Sequence, residues 1–303
     1  LTLIDKQKTT ALLIAACGVI LFSSKAVMVK LAYQHPIDEI SLLLLRMLIS
    51  LPFYLIVWAF NFKKWKKNPL RKKEYGLIVL LGIVGYYLAS FFDFKGLTFI
   101  SASLERLILF TYPTIVLILS IFILKKKVTR SQIGAIFITY AGLAIIFSNG
   151  STGIVTGTKQ DVLLGVGLIL LSAFTYALYL VGSNFLIARV GSQRLTTFSL
   201  IVSCIAVIIH FLLTASATLW GYPIEVYMIA FIMAIFATVI PSFLIVEAIS
   251  RIGAPSVSIV GSLGPVSTIL LSMIFLGEAL TLIQFAGALV IISGVAIISY
   301  SKT

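Results

Sequence analysis

Ten apolar runs, each about as long as a bilayer is thick, leave this chain few folds to choose from. They lie at about 11–32, 39–60, 75–94, 100–124, 131–148, 163–186, 195–215, 225–248, 254–276 and 282–300. A helix crossing a hydrocarbon core needs roughly 20 apolar residues. The connections are short, the longest being 61–74 and 149–162, so no soluble domain fits between the runs. Composition agrees: 60% of residues are hydrophobic and 11% charged, where soluble domains hold about 45–50% and about 25%. The expected fold class is an all-α integral membrane protein of ten transmembrane helices. The first run is too long for the roughly 7–15 apolar residues of a cleaved signal. Cys17 and Cys204 both fall inside apolar runs and read as packing residues.

The net charge of +13 invites a nucleic-acid partner until the basic residues are placed. With the N-terminus inside, the inward connections and termini carry 17 Lys and Arg, including the cluster from Lys63 to Lys73 and Lys125–Lys127, while the outward ones carry only Lys95 and Lys159. Such a bias sets orientation. Both termini are therefore expected on the cytoplasmic side of the cytoplasmic membrane, with the basic residues at anionic headgroups. The lipid bilayer, and no nucleic acid, is the expected large partner.

Residues 101–127, SASLERLILFTYPTIVLILSIFILKKK, place Glu105 and Arg106 near one end and Pro113 in the middle. A proline inside a helix removes a backbone hydrogen bond and crowds the preceding turn, so a bend is expected there. Moving on 152 positions gives a second run, 253–279, with Gly264 and Pro265 opposite the first break. The same offset aligns Thr129 with Thr281, Gln132 with Gln284, Gly142 with Gly294 and Ser120 with Ser272. Five runs in each copy is an odd number, so the second copy enters the bilayer from the opposite face. Residues 1–152 and 153–303 are thus expected to be two inverted five-helix repeats, the architecture that underlies alternating access. Pro113, Gly264 and Pro265 are the hinge candidates.

The segments FSSKAVMVKLA, SASLERLILFTYP, GAPSVSIVGSLGPVSTILLSMIFLGEALT and QFAGALVIISGVAII, together with Arg46, resemble the drug/metabolite transporter superfamily, EamA type with ten spans. The resemblance covers essentially the whole chain. The closing motif, Gly277-Glu278 before Leu280-Thr281, is repeated imperfectly, since Lys126 stands at the glutamate position of the first copy. Any family role for that acid therefore carries over to Glu278 alone. The resemblance implies a carrier of amino acids, nucleotide-like metabolites or drugs, with export of amino acids or related metabolites as the first expectation. Uptake or exchange of a nucleotide-like or other anionic metabolite is the alternative, and a membrane receptor or scaffold that does not transport is the other class.

Charge inside a bilayer is costly and marks function or pairing. Lys25, Lys30, Arg46, Asp93, Glu105 and Arg106 all fall in the outer half of the first repeat, four basic and two acidic. If each acid takes one base, two positive charges are left for an anionic or carboxylated substrate held near Lys25 and Arg46 or Arg106. The opposing expectation pairs Arg46 with Asp93 and Arg106 with Glu105, and lets Lys30 reach the headgroups. Ser24, Tyr86, Tyr87, Ser90, Tyr112, Tyr176, Tyr179, Asn184, Ser242 and Ser262 complete the candidate cavity. Asp93, Glu105 and Glu247 are the candidates for ion coupling, and His210 reads as structural. There is no zinc-ligand spacing, P-loop or nucleophile elbow, and two histidines build no His-rich metal site. No enzyme, metal or cofactor is expected, and the oligomeric state is left open.

Overall fold

The structure is a computed structural model that describes residues 3–124, 129–148, 158–214, 219–261, 263–278 and 281–300. Within those residues it is helical throughout, without a strand. The first half runs α1 (Leu3–Ser23), α2 (Lys25–Ala32), α3 (Glu39–Lys66), α4 (Lys72–Gly82), α5 (Ala89–Gly96), α6 (Ala102–Leu109), α7 (Tyr112–Leu124) and α8 (Arg130–Ser148). The second runs α9 (Lys159–Val190), α10 (Ser192–Thr214), α11 (Ile224–Ala234), α12 (Ile240–Gly261), α13 (Leu263–Leu276) and α14 (Leu282–Tyr300). Wide π-helical turns join α4 to α5 at Ile83–Leu88 and α11 to α12 at Ile235–Val239.

Seven stretches among the described residues are long and apolar enough to cross a bilayer, and Ile133–Ile145, Leu263–Leu276 and Phe285–Gly294 are shorter apolar helices. Phe122, Phe137, Leu163, Leu212, Ile274 and Leu282 stand more than two-thirds exposed. In water so much apolar surface would drive aggregation, whereas in lipid it is the solvated face. The interior is built around Val29, Leu42, Leu43, Met47, Phe94 and Met233, which join α2, α3, α5 and α11.

Local chemistry explains most helix boundaries. Asp38 accepts from the backbone N–H of Ile40 and Ser41 and so starts α3. Thr158 and Asp161 form a reciprocal capping box at the start of α9. Gly191, at a φ of 82°, lets α9 turn directly into α10. The bend expected at Pro113 is real but lies at Phe110–Thr111, just ahead of it. Proline sits in the first turn of α7, where its missing N–H has no partner to lose. Pro265 likewise lies in the first turn of its helix, α13. The first run is also broken, at Ser24, whose Oγ bonds back to the carbonyl of Leu21. Helical turns continue through the connection expected at 249–253, but α12 is not straight, since Ile245 and Gly261 line one cavity although 16 residues of straight helix would span about 24 Å.

Several boundaries coincide when 152 is subtracted. α11 falls on α4, the Ile235–Val239 turn on Ile83–Leu88, and α14 on α8. The pair α8–α14 packs closely because both contact positions are glycine. A Cβ on Gly142 would stand 2.8 Å from the carbonyl oxygen of Gly287, and one on Gly294 would stand 3.0 Å from that of Ala135. Small residues let membrane helices approach backbone to backbone.

Candidate functional site

The polar site is organised by α6, which is eight residues long and held at both ends. Its first N–H groups, unsatisfied in any helix start, are all taken. Ser101 Oγ accepts from Leu104 N, while Glu278 accepts from Ala102 N and Ser103 N at 3.0 Å each and from Ser103 Oγ at 2.7 Å. The Ser103 and Ser272 hydroxyls meet at 2.6 Å. A carboxylate on the positive end of a helix is favourable electrostatics as well as hydrogen bonding. Glu278 thus clasps the end of α13 to the start of α6. The sequence marks Glu278 as part of a motif but not its partner, which comes from the other half of the chain.

Glu105 and Arg106 are neighbours in α6 and point to different surroundings, as the 100° step of a helix requires. Arg106 lines a cavity of about 160 Å³ together with Lys25, Tyr86, Ser90, Tyr112 and Tyr176. Phe22, Phe110, Ser172 and Ile245 complete much of the wall. The Arg106 Nη2 donates to Ser23 Oγ at 3.0 Å, and its Nε is buried with no acceptor among the described residues. Gly264 makes room for this guanidinium, since a Cβ there would lie 2.8 Å from Nη2. The expected hinge glycine is therefore also a packing requirement of the site.

The aromatic wall is a connected set. Tyr112 meets Tyr176 edge to face at 5.3 Å, Tyr176 stacks on Tyr179 at 6.3 Å, and Tyr86 meets Tyr179 at 4.8 Å. Gly85 permits this, for a Cβ at that position would fall 2.1 Å from the Cβ of Tyr179. Tyr179 supports the wall from behind and is not itself part of the lining.

The charged residues pair differently from either expectation. Lys25 Nζ lies 2.6 Å from Asp93 Oδ2, so Lys25 is compensated within the protein. Arg46 is 4% exposed, donates to Ser90 Oγ at 3.0 Å, and stacks 4.8 Å over the Phe94 ring. It makes no ion pair with Asp93, and Arg106 makes none with Glu105. Lys30, half-buried, donates to the carbonyl of Leu97. Glu105 is fully buried, with neither oxygen meeting a donor among the described residues.

Other expected site residues lie elsewhere. Ser24 and Ser242 bond back to the carbonyls three and four residues earlier in the chain, those of Leu21 and Thr238. Tyr87 contacts His210 Nδ1 at 2.9 Å, which satisfies both side chains away from the cavity. Glu247 is exposed and accepts from Arg251 one turn on, a surface pair. Ser262 and the side chain of Asn184 lie outside the described residues. Cys204 is buried against Met47 and Cys17 is exposed, both as free thiols.

Similar proteins agree on the class. The uncharacterized transporter YcbK of Bacillus subtilis (strain 168) is 28% identical over 274 residues, covering 89% of this chain and 86% of the relative. The uncharacterized transporter YyaM of the same organism is 29% identical over 232 residues, covering 76% and 74%. An uncharacterized transporter of Clostridium kluyveri is 25% identical over 272 residues, covering 90% and 86%. One solved crystal structure matches the fold with a TM-score of 0.66 at 17% identity, over 95% of this chain and 96% of the other. The family of EamA-like transporters matches residues 9–148 and again 163–300, and the chain, a multi-pass membrane transporter rather than an enzyme, belongs to it.

Proposed function

We propose that this chain is a secondary transporter that moves small carboxylated, amphipathic metabolites, amino acids or their relatives, by alternating access. The observation that carries this reading is Arg106: a guanidinium with no carboxylate partner among the described residues, lining a cavity walled by tyrosines. Arg is suited to carboxylate recognition because its planar fork offers paired N–H donors. The tyrosine wall suits the apolar remainder of such a substrate. Lys25 lines the same cavity but is already engaged by Asp93, so Arg106 is assigned as the anchor.

The architecture in this reading is ten spans in two inverted five-helix repeats, residues 1–152 and 153–303. The coincidence of α4 with α11, of the two wide turns, and of α8 with α14 at one offset supports it. So does the family match in two stretches. The excess of Lys and Arg in alternate connections supports cytoplasmic termini in a cytoplasmic membrane. Export is the direction taken here from the resemblance to amino-acid and metabolite exporters.

The test is counterflow in proteoliposomes with a pool of labelled metabolites, with and without an imposed pH gradient. Carboxylated compounds should move, and Arg106→Gln should reduce their flux by about tenfold or more, the loss of one charge-assisted contact. Movement of cationic or neutral compounds alone would overturn the assignment. No movement of any compound would favour a receptor or scaffold.

A further inference from the structure

Behind the cavity, on the far side of Lys25, lies a second polar group that substrate recognition leaves unused. The carboxyls of Asp93 on α5 and Glu105 on α6 are 1% and 0% exposed and lie within hydrogen-bonding reach of each other. Neither lines the cavity, whereas Lys25, which touches Asp93 at 2.6 Å, does. Asp93 Oδ1 and both Glu105 oxygens meet no donor among the described residues.

Two carboxylates brought together without a donor between them repel, and each buried charge carries a desolvation penalty of several kcal/mol. One proton removes both difficulties, turning the contact into an O–H···O hydrogen bond. The charges facing the pair are few. Lys25 comes from α2, Arg46 approaches Asp93 from α3, and Arg106 stands beside Glu105 on α6 itself, while Tyr33, just past α2, faces Asp93 with its hydroxyl donated to the carbonyl of Phe94. On α13, which packs against α6, the hydroxyls of Thr268 and Ser272 are engaged with the Ser23 carbonyl and the Ser103 hydroxyl. Glu278 is committed to the first turn of α6. Only Lys25 touches a carboxyl of the pair, and an ionised Glu105 would meet no hydrogen-bond donor among the described residues, with Arg46 and Arg106 acting on the pair only at longer range.

We propose that Asp93 and Glu105 form a proton-binding site, and that Lys25 links its occupancy to the charge in the cavity. The ammonium of Lys25 stands between the pair and the cavity. An anionic group in the cavity attracts it, weakens its cover of Asp93, and so favours a proton on the pair. Substrate and proton then promote each other's binding, since such linkage is reciprocal, and export by this route is driven by the substrate's own outward gradient. The site itself stands without a substrate; its coupling to transport rests on the carboxylate reading above.

The test needs no substrate. Purified full-length protein in lipid is titrated with pH and followed by infrared absorption of protonated carboxyl C=O groups, in H2O and D2O. The wild type should show a band that shifts in D2O, disappears as pH rises and is absent from Glu105→Gln. In Lys25→Met, which removes the counter-charge, the band should persist to higher pH. If Glu105→Gln does not fold, Asp93→Asn serves in its place, because removing either carboxyl breaks the pair and must move the titration. The proposal is overturned if the wild type has no such band at any pH at which it stays folded. Survival of the band unchanged in the carboxyl variants, or an unmoved titration in Lys25→Met, overturns it equally. Failure of metabolite flux with the band intact would instead count against the substrate reading alone.

Discussion

Replacing Glu278 by alanine should open one face of the bundle. The clasp consists of three hydrogen bonds from one carboxylate, two of them to backbone N–H groups of α6. Hydrogen bonds to a charged group contribute about 1.5–3 kcal/mol each when intact. Glu278 is partly exposed, so water replaces much of what is lost. A net loss of about 2–3 kcal/mol corresponds to a shift of about 30- to 150-fold in the closed-to-open ratio. The assay is alkylation of a cysteine placed at Phe22, in the cavity wall, by a membrane-impermeant thiol reagent in a Cys17→Ala background. Vesicles of both orientations are compared, so the sidedness of α6 need not be assumed. Glu278→Ala should raise the rate from one face only, the face at which α6 begins, and Glu278→Gln should fall between it and the parent. Equal rates in parent and variant from both faces would refute the argument that this carboxylate holds the cavity shut.

Three further outcomes test the packing that positions the site. Gly264→Ala places a methyl 2.8 Å from the Arg106 guanidinium and 3.3 Å from Ser23 Oγ, so substrate KM should rise several-fold while thermal unfolding changes little. Gly142→Leu and Gly294→Leu should each destabilise the protein by about 1–3 kcal/mol, the range for overpacking, read as a lower Tm by tryptophan fluorescence. Gly134→Leu is the control, since a Cβ there meets nothing within 4 Å. Cys204, buried against Met47, should stay unmodified by maleimides that label the exposed Cys17 from the lipid phase.

What could be read from the sequence divides along physical lines. Helix positions were legible because burial in lipid demands long apolar runs, and the break near Pro113 because proline chemistry is local. The helical turns that continue through 249–253 were not, because a short polar stretch between apolar runs reads as a connection whatever its backbone does. Lys25, Tyr86, Ser90, Arg106, Tyr112 and Tyr176 were expected at the cavity and line it. Ser24, Tyr87 and Ser242 were expected there and do not. A helix that is apolar on every side gives no sign of which face turns inward. Nor could the pairing of Lys25 with Asp93 rather than Arg46 with Asp93 be deduced, because it depends on which helices are neighbours. The clasp of Glu278 on α6 was hidden for the same reason, joining residues 175 and 176 positions apart.

The wide turn at Ile83–Leu88 offers a way to switch the site without moving any helix far. A π turn holds one residue more than the regular helix would at the same place. Tightening it into α-helix with the chain length unchanged would rotate everything beyond it by one residue's step, about 100°. Ser90, Asp93 and Phe94 lie just beyond, and they hold Arg46 and Lys25 in place. Such a rotation would carry them all off their partners together. Deleting Val84 removes the spare residue while keeping the downstream phase, and should lock the arrangement of Arg46 and Lys25 described above. The turn is in this sense a stored increment of screw motion, one notch deep, set directly behind the charges.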